Sequence, residues 1–133
     1  MLMPVTAVYA AVTALLLLFL SLQVSKYRLK YRQGLGTNED VRFQVADRAQ
    51  ANLVEYAPVA LILMGIGELN GVNPQWIYWV GLAFVGGRIL HAFGMFRGVG
   101  ERHHARLLGI VLTWVSIAVM AVLLIWNVIK VQL

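Results

Sequence analysis

The sequence predicts an all-α fold, an integral membrane four-helix bundle, and three observations lead to it. Of the 133 residues 60% are hydrophobic and the mean hydropathy is +0.74, whereas soluble domains have about 45–50% apolar residues. Four long apolar runs follow one another along the chain. Ten of the 11 Lys and Arg residues fall in the stretches 26–48 and 88–106, beside those runs. This placement favours membrane topology over nucleic-acid binding.

The first two spans lie in the N-terminal half of the chain. Residues 3–25 carry no charged side chain and are long enough to cross about 30 Å of hydrocarbon. No basic stretch precedes this run and no small-residue motif ends it, so we interpret it as a span and not as a cleaved signal peptide. Residues 26–44 are polar and glycine-bearing, which predicts a loop. The second span covers residues 45–69.

The other two spans complete a single domain over residues 1–133. The segment 70–74, NGVNP, predicts a tight turn before a third span at 75–96. A basic connection, 97–106, leads to the fourth span at 107–129. Since the loops after spans one and three hold most of the Lys and Arg, the positive-inside rule predicts that both are cytoplasmic. Both termini are then expected on the non-cytoplasmic side.

Polar side chains inside spans two and three are the candidates for function. Arg48, Asn52 and Glu55 are spaced by four and three residues, which places them on one stripe of a helix. Span three runs in the opposite direction, so its Arg88 and His91 are predicted to lie at a similar depth. A charge inside a span costs about 2.5–3.5 kcal/mol on insertion scales and therefore needs a partner or a function.

Two interpretations of these charges stay open at this point. The first is a structural ion pair in which Glu55 meets Arg48 or Arg88. The second is a ligand site, because arginines outnumber carboxylates at this depth and guanidinium groups match carboxylates well. The chain has no cysteine, so any thiol chemistry at such a site would need a thiol supplied by a ligand.

The segment RAQANLVEYAPVALILMGIGELNG resembles the signature of the MAPEG superfamily, the membrane-associated proteins in eicosanoid and glutathione metabolism. Its Arg-Ala-Gln-x-Asn-x-x-Glu-Tyr-x-Pro pattern runs from Arg48 to Pro58. GRILHAFG, residues 87–94, is similar to the arginine element of the family's third span. The resemblance covers the whole chain and is strongest to short bacterial members, which implies a bacterial inner (plasma) membrane.

The resemblance implies a homotrimer that binds glutathione between neighbouring subunits and joins it to a lipophilic second substrate, as a glutathione transferase does, with hydroperoxide reduction as a further activity. The implied glutathione-binding residues are Arg28, Arg48, Gln50, Asn52, Glu55, Tyr56, Arg88 and His91. In the leukotriene C4 synthase branch an arginine fourteen residues after the span-three arginine activates the thiol, and Arg102 holds that position here. A nearby guanidinium favours the thiolate, which is the nucleophile.

The chain departs from that branch at two positions. His91 and Met95 stand where the branch has tyrosines, and Met95 removes a polar contact. Glu101 and His104 have the spacing of a di-iron ligand pair, but that site needs further carboxylates, so we expect no metal. Trp114 is expected to pack or to face lipid. The alternative function is a non-catalytic membrane scaffold, or a binder of another anion such as a lipid head group.

Overall fold

Four α-helices make up the structure, a computed structural model that describes residues 1–132. They are α1 (Pro4–Tyr31), α2 (Val41–Leu69), α3 (Pro74–Arg97) and α4 (His104–Gln132). Each is long and apolar enough to cross a membrane, which confirms the all-α, four-span prediction. The helices extend beyond the predicted spans, because α1 continues through 26–31 and α4 begins at residue 104 instead of 107.

The helix ends follow from local sequence signals. α1 and α3 both begin at a proline, whose missing N–H is not needed in a first turn. Asp40 caps α2 by accepting a hydrogen bond from the Arg42 N–H at 2.9 Å. The Tyr31 hydroxyl donates to the same carboxylate, and this hydrogen bond lowers the pKa of Asp40 below its ordinary value. The loop between α1 and α2 is thereby held at both ends.

Helix α3 lies at the centre of the packing. It contacts α1, α2 and α4, whereas α1 and α4 do not contact each other within residues 1–132. The core between the helices is built from fully buried apolar side chains of α1, α2, α3 and α4: Leu20, Leu53, Met64, Ile77, Phe84 and Met120. The α3–α4 contact is the most extensive, because Gly87 and Gly109 let the two backbones approach closely.

A carboxylate joins the end of α2 to the start of α1. Glu68 accepts the backbone N–H groups of Val5 at 2.9 Å and of Thr6 at 2.8 Å, one on each oxygen. These N–H groups are among those that a helix cannot satisfy internally. The loops that follow α1 and α3 therefore lie together at the opposite end of the bundle from Glu68, and this is the end that carries most of the basic residues.

The outer faces of the bundle are apolar. Trp76, Tyr78, Trp79 and Trp126 are all exposed at the end where α3 begins and α4 ends. Large aliphatic side chains along α1 and α4 are exposed as well, including Leu15, Leu18, Leu22, Val122 and Ile125. Such faces suit lipid or other subunits and would be unfavourable in water.

Candidate functional site

The polar stripe on α2 contains an ion pair. Arg48 Nη1 lies 3.3 Å from Glu55 Oε1, two helical turns along the same face. Both side chains are more than half exposed in the single chain, at 57% and 51%. One of the two interpretations from the sequence, a pair between Glu55 and Arg48, is therefore present. Because the ion pair is this exposed in a membrane helix, its charges need contact with water, a lipid head group, a ligand or a neighbouring subunit.

Arg88 connects α3 to this stripe from within the bundle. Its side chain is buried, with 2% of the residue exposed, and Nη2 donates to Asn52 Oδ1 at 2.8 Å. The guanidinium carbon lies 5.6 Å from the centre of the Tyr56 ring, a cation–π distance. Among the described residues, Arg88 Nε and Nη1 have no hydrogen-bond partner. The arginine thus retains unused donor capacity inside the bundle.

Two adjoining cavities open beside these residues, and they differ in chemistry. The larger cavity, about 820 Å³, is lined by Asn52, Tyr56, His91, Arg102, His103, His104, Arg106, Leu107, Ile110 and Trp114. The smaller cavity, about 470 Å³, is lined by Val41, Gln44, Val45, Arg48, Asn52, His91, Met95, Val99, Gly100, Glu101 and Arg106. Both lie at the end of the bundle that carries the basic loops.

Three residues line both cavities, and we call them the junction: Asn52, His91 and Arg106. On one side of the junction, α4 gives the larger cavity an apolar wall of Leu107, Ile110 and Trp114. On the other side, the smaller cavity is bordered by polar groups that include Arg48, Gln44 and Glu101. A hydrophilic molecule and a lipophilic one would therefore meet at the junction.

Positive charge dominates the two cavities. Arg48, Arg102 and Arg106 line them, against the single carboxylate of Glu101. Glu55 stands beside Arg48 and neutralises part of its charge. An anionic ligand would balance what remains, and a guanidinium is well suited to bind it.

Close contact between α3 and α4 positions the junction. A side chain at Gly94 would overlap the backbone nitrogen of Arg106, and a side chain at Gly109 would overlap the backbone of His91. Because both positions are glycine, the first turns of α4 lie directly against α3. His91 and Arg106 are thereby brought to the same site, from two different helices.

Four of the site residues predicted from the sequence line neither cavity, namely Arg28, Gln50, Glu55 and Arg88. Gln50 points towards α1, where its Nε2 donates to Ser21 Oγ at 2.8 Å. Arg28 pairs with Asp47 at 3.3 Å and donates to the carbonyl of Gly34 at 2.7 Å, so it braces the first loop. Within one chain both side chains are bonded to other partners, and their contact with a ligand stays a prediction.

Trp114 and Arg106 belong to the site although sequence reasoning did not select them. The Trp114 indole N–H donates to the Tyr56 hydroxyl at 3.1 Å, which links α4 to the stripe on α2. Arg106 was assigned to the connection before span four, yet it lies in the first turn of α4. No spacing signal could have found it, because Arg102 lies before α4 and the role of Arg106 depends on where the helix begins.

Comparison with known proteins gives one family and two similar relatives. A family model described as the MAPEG family matches residues 6–126. The chain is 32% identical over 126 residues to the inner membrane protein YecN of Escherichia coli (strain K12), with 92% of this chain and 91% of that protein covered. The protein of the same name from Escherichia coli O6:H1 (strain CFT073) shows the same identity and coverage.

Proposed function

Because the chain belongs to the MAPEG family, we propose that it is a membrane-bound glutathione transferase acting on lipophilic electrophiles. The observation that carries the proposal is the pair of adjoining cavities, each lined by two arginines, of which the smaller is bordered by further polar groups and the larger has a wall of apolar side chains from α4. Glutathione is a hydrophilic thiol and its electrophilic partner is lipophilic. Each matches one of the two cavities, and the reacting atoms would meet at the junction.

The charges of the site suit the functional groups of glutathione. Its two carboxylates match guanidinium groups such as that of Arg48 at the smaller cavity, and the unused donors of Arg88 would join them only after a local rearrangement. Its ammonium group matches a carboxylate, for which Glu55 and Glu101 are available. Asn52 and Tyr56 supply neutral hydrogen-bonding groups on α2. We therefore assign glutathione as the bound cosubstrate.

A homotrimer accounts for residues that the single chain leaves exposed or outside the cavities. Arg48 and Glu55 are more than half exposed, and a neighbouring subunit with glutathione between would cover them. Arg28 and Gln50 would reach the ligand only after such assembly or a local rearrangement, since each now bonds within its own chain. The apolar outer faces of α1 and α4 provide surface for subunit and lipid contacts.

The proposed reaction is a thiol addition or substitution. The glutathione thiol loses its proton to water, and Arg102 at the rim of the larger cavity stabilises the thiolate. The sulfur then forms a bond to an electrophilic carbon of the lipophilic substrate while a leaving group departs with its electron pair. With a lipid hydroperoxide, two glutathione molecules would instead be oxidised to the disulfide while the hydroperoxide is reduced to an alcohol and water.

The proposed location is the bacterial inner membrane, with both termini on the non-cytoplasmic side. The four apolar helices and the name of the similar Escherichia coli protein support the membrane assignment. The basic loops support the direction, because positively charged loops stay in the cytoplasm. The two cavities lie at this end, so a cytoplasmic solute would reach them from water.

Glutathione binding is the decisive measurement. Isothermal titration calorimetry on the detergent-purified, folded protein should detect binding at millimolar glutathione or below. A folded protein that binds no glutathione in this range would contradict the proposal. If binding is found, conjugation of chlorodinitrobenzene tests the chemistry: a carbon–sulfur bond forms and chloride leaves. Arg102→Ala is expected to slow this reaction at least about tenfold, as loss of an electrostatic contact to a thiolate would. Equal rates would remove Arg102 from the catalytic step.

A second candidate, a non-catalytic membrane scaffold, is favoured by one observation. The Arg48–Glu55 pair and the Arg88–Asn52 hydrogen bond satisfy several polar groups within the chain itself. A scaffold predicts that Arg48→Ala lowers the stability of the assembly as strongly as it weakens any ligand binding. The transferase predicts a loss of glutathione affinity with little change in the thermal midpoint without ligand, because this ion pair is exposed.

A further inference from the structure

Helix α1 is longer than the hydrocarbon layer that a membrane helix crosses. At 1.5 Å per residue its 28 residues extend for about 42 Å, against about 30 Å of hydrocarbon and about 40–45 Å when the head-group layers are included. The sequence predicted a loop from residue 26, yet the helix continues to Tyr31. Its last turns therefore lie at the level of the lipid head groups, at the end of the bundle that carries the basic loops.

One stripe of α1 runs without interruption from the hydrocarbon to the head groups. Leu15, Leu18 and Leu22 are exposed on the side of the helix that faces away from the bundle. Lys26 and Lys30 follow Leu22 at intervals of four residues, so helical geometry places them on the same side. We call these five residues the outer stripe. Along it, apolar side chains are replaced by lysines at the depth where the acyl chains of a phospholipid end and its phosphate begins.

The two lysines have little compensation from carboxylates within the described residues. Both are exposed, and the Lys30 ammonium lies 4.0 Å from the Asp40 carboxylate, at the limit of an ion pair. Lys26 forms no ion pair within residues 1–132. Arg28, by contrast, pairs with Asp47. Since like charges one helical turn apart repel each other, an anion between Lys26 and Lys30 would be stabilising.

The surroundings of the lysines favour a lipid over a soluble anion. Leu29 is 80% exposed and follows Leu22 by seven residues, so it lies beside the outer stripe, between the two lysines. An exposed leucine is unfavourable in water, but it suits the boundary between acyl chains and head groups. Lysine side chains also fit this boundary, because their stems cover apolar surface while the ammonium reaches the head groups. A soluble anion would leave the leucines uncovered.

A second copy of the chain is a poorer occupant of the outer stripe. A symmetric contact between two copies would bring the lysines of both stripes together, and their charges would repel each other. The phosphate of an anionic phospholipid supplies the opposite charge instead. Charge complementarity and apolar cover are therefore provided by one molecule.

We propose that the outer stripe of α1 binds an anionic phospholipid from the leaflet on the side of the basic loops. The phosphate lies between Lys26 and Lys30, and the acyl chains follow Leu22, Leu18 and Leu15. None of these residues lines either cavity, so the site is separate from the proposed transferase site. A lipid held there anchors the last turns of α1, from which the Tyr31 hydroxyl reaches the cap of α2.

The test is native mass spectrometry of the full-length protein released from detergent. The protein is titrated with palmitoyl-oleoyl phosphatidylglycerol, or with the zwitterionic phosphatidylcholine that has the same acyl chains. Bound lipids are counted, and an apparent Kd is obtained for each. The test variant is Lys26→Gln/Lys30→Gln. The matched control, Arg32→Gln/Arg42→Gln, removes the same charge from two exposed residues at the same end of the bundle, after α1 and on α2.

The wild type is expected to bind phosphatidylglycerol at least about tenfold more tightly than phosphatidylcholine. Lys26→Gln/Lys30→Gln should weaken phosphatidylglycerol binding by about thirtyfold, or about fivefold for each lysine, since a basic residue at an anionic surface contributes about 1 kcal/mol. The control should weaken it by less than about threefold, because its charges lie farther from the phosphate. Lys26→Arg/Lys30→Arg should keep the preference, since both charges remain.

Several outcomes would overturn the proposal. One is equal affinity of the wild type for the two lipids, and another is a control variant that loses phosphatidylglycerol as strongly as Lys26→Gln/Lys30→Gln does. Displacement of the lipid by millimolar glycerol 3-phosphate would show a site for soluble phosphate instead. A changed oligomeric mass in Lys26→Gln/Lys30→Gln with unchanged lipid binding would assign the stripe to a second copy. A wild type that binds phosphatidylglycerol but no glutathione would contradict the proposed function alone.

Discussion

At the scale of single residues, Arg88 has the least balanced environment in the site. Only 2% of the residue is exposed, and two of its three guanidinium nitrogens have no partner among the described residues. Its contacts are one hydrogen bond to Asn52 and the face of Tyr56. Burial of a charge with so few partners is unfavourable, and because Arg88 lines neither cavity, a ligand would supply acceptors to it only after a local rearrangement.

Arg88→Met should separate binding from stability. The change removes a buried charge and keeps the volume of the side chain, so the thermal midpoint without ligand is expected to stay the same or to rise. Glutathione affinity should fall by about tenfold or more, as loss of a hydrogen bond to a charged group would cause. Calorimetry and thermal unfolding in detergent measure the two effects. Arg97→Met, at an exposed position, serves as the control.

A lower midpoint in Arg88→Met with unchanged affinity would favour the scaffold function instead. In that case the role of the arginine would be to hold α3 against α2 through the Asn52 hydrogen bond and the Tyr56 contact. The half-buried Asn52 can exchange the lost partner for water, so this variant leaves no second buried group unpaired.

The residues of the α2 stripe and Arg88 could be selected from the sequence because helical spacing and span direction are enough to bring them together. Arg106 and Trp114 could not, for two physical reasons. The start of α4 depends on where the chain leaves the loop, and composition alone put that point three residues too late. The contact of Trp114 with Tyr56 depends on the rotation of α4 about its axis, which an apolar helix does not encode.

At the scale of helices, α1 and α2 are joined by the Glu68 carboxylate. Its two oxygens accept one N–H each from Val5 and Thr6, in the first turn of α1. A negative charge at a helix N-terminus is stabilising, and the effect is stronger where water is scarce. The GEL segment at the end of α2, noticed in the sequence as part of the family pattern, therefore has a structural role in one chain.

Glu68→Gln is expected to weaken this connection. The amide keeps one acceptor oxygen and places an NH₂ group against the second N–H, so one charge-assisted hydrogen bond is lost and one is weakened. The free energy of unfolding should fall by about 1–3 kcal/mol. Thermal unfolding compares Glu68→Gln with the control Glu39→Gln, which changes an exposed loop residue that caps no helix. Equal midpoints in the two variants would show that the carboxylate does not hold α1.

The α3–α4 contact depends on glycines that face the partner helix, which gives a second prediction at this scale. Gly109→Ala would place a methyl group into the carbonyl of Gly87 and the backbone of His91, so the helices must separate. The expected loss is about 1–3 kcal/mol, and the junction should open with a fall in glutathione affinity. Thermal unfolding in detergent measures the stability, and calorimetry the affinity.

Gly86→Ala is the matched control, because it changes a glycine of α3 that has open space where the methyl group would lie. It should leave stability unchanged or raise it by up to about 1 kcal/mol through helix propensity. Equal losses in the two variants would contradict the idea that close approach of α3 and α4 is what Gly109 provides.

At the scale of the whole molecule, charge and chemistry are both polarised along the bundle. The exposed rings of Trp76, Tyr78, Trp79 and Trp126 lie at one end, and the basic loops lie at the other beside both cavities. Hydropathy and charge placement were sufficient to predict the four spans and this polarity, because both are collective properties of many residues. The oligomeric state could not be predicted in the same way, because the exposed apolar faces of the single chain suit lipid and neighbouring subunits alike.

The direction of insertion predicted from this polarity can be tested with single cysteines, since the chain has none of its own. Leu2→Cys changes an exposed residue at the N-terminus, and Gly34→Cys changes a loop position with open space around it. In spheroplasts, a membrane-impermeant maleimide should label Leu2→Cys directly and Gly34→Cys only after permeabilisation. Labelling of Gly34→Cys in intact spheroplasts would reverse the topology. The cavities would then open away from the cytoplasm, and the proposed supply of glutathione from that side would have to be abandoned.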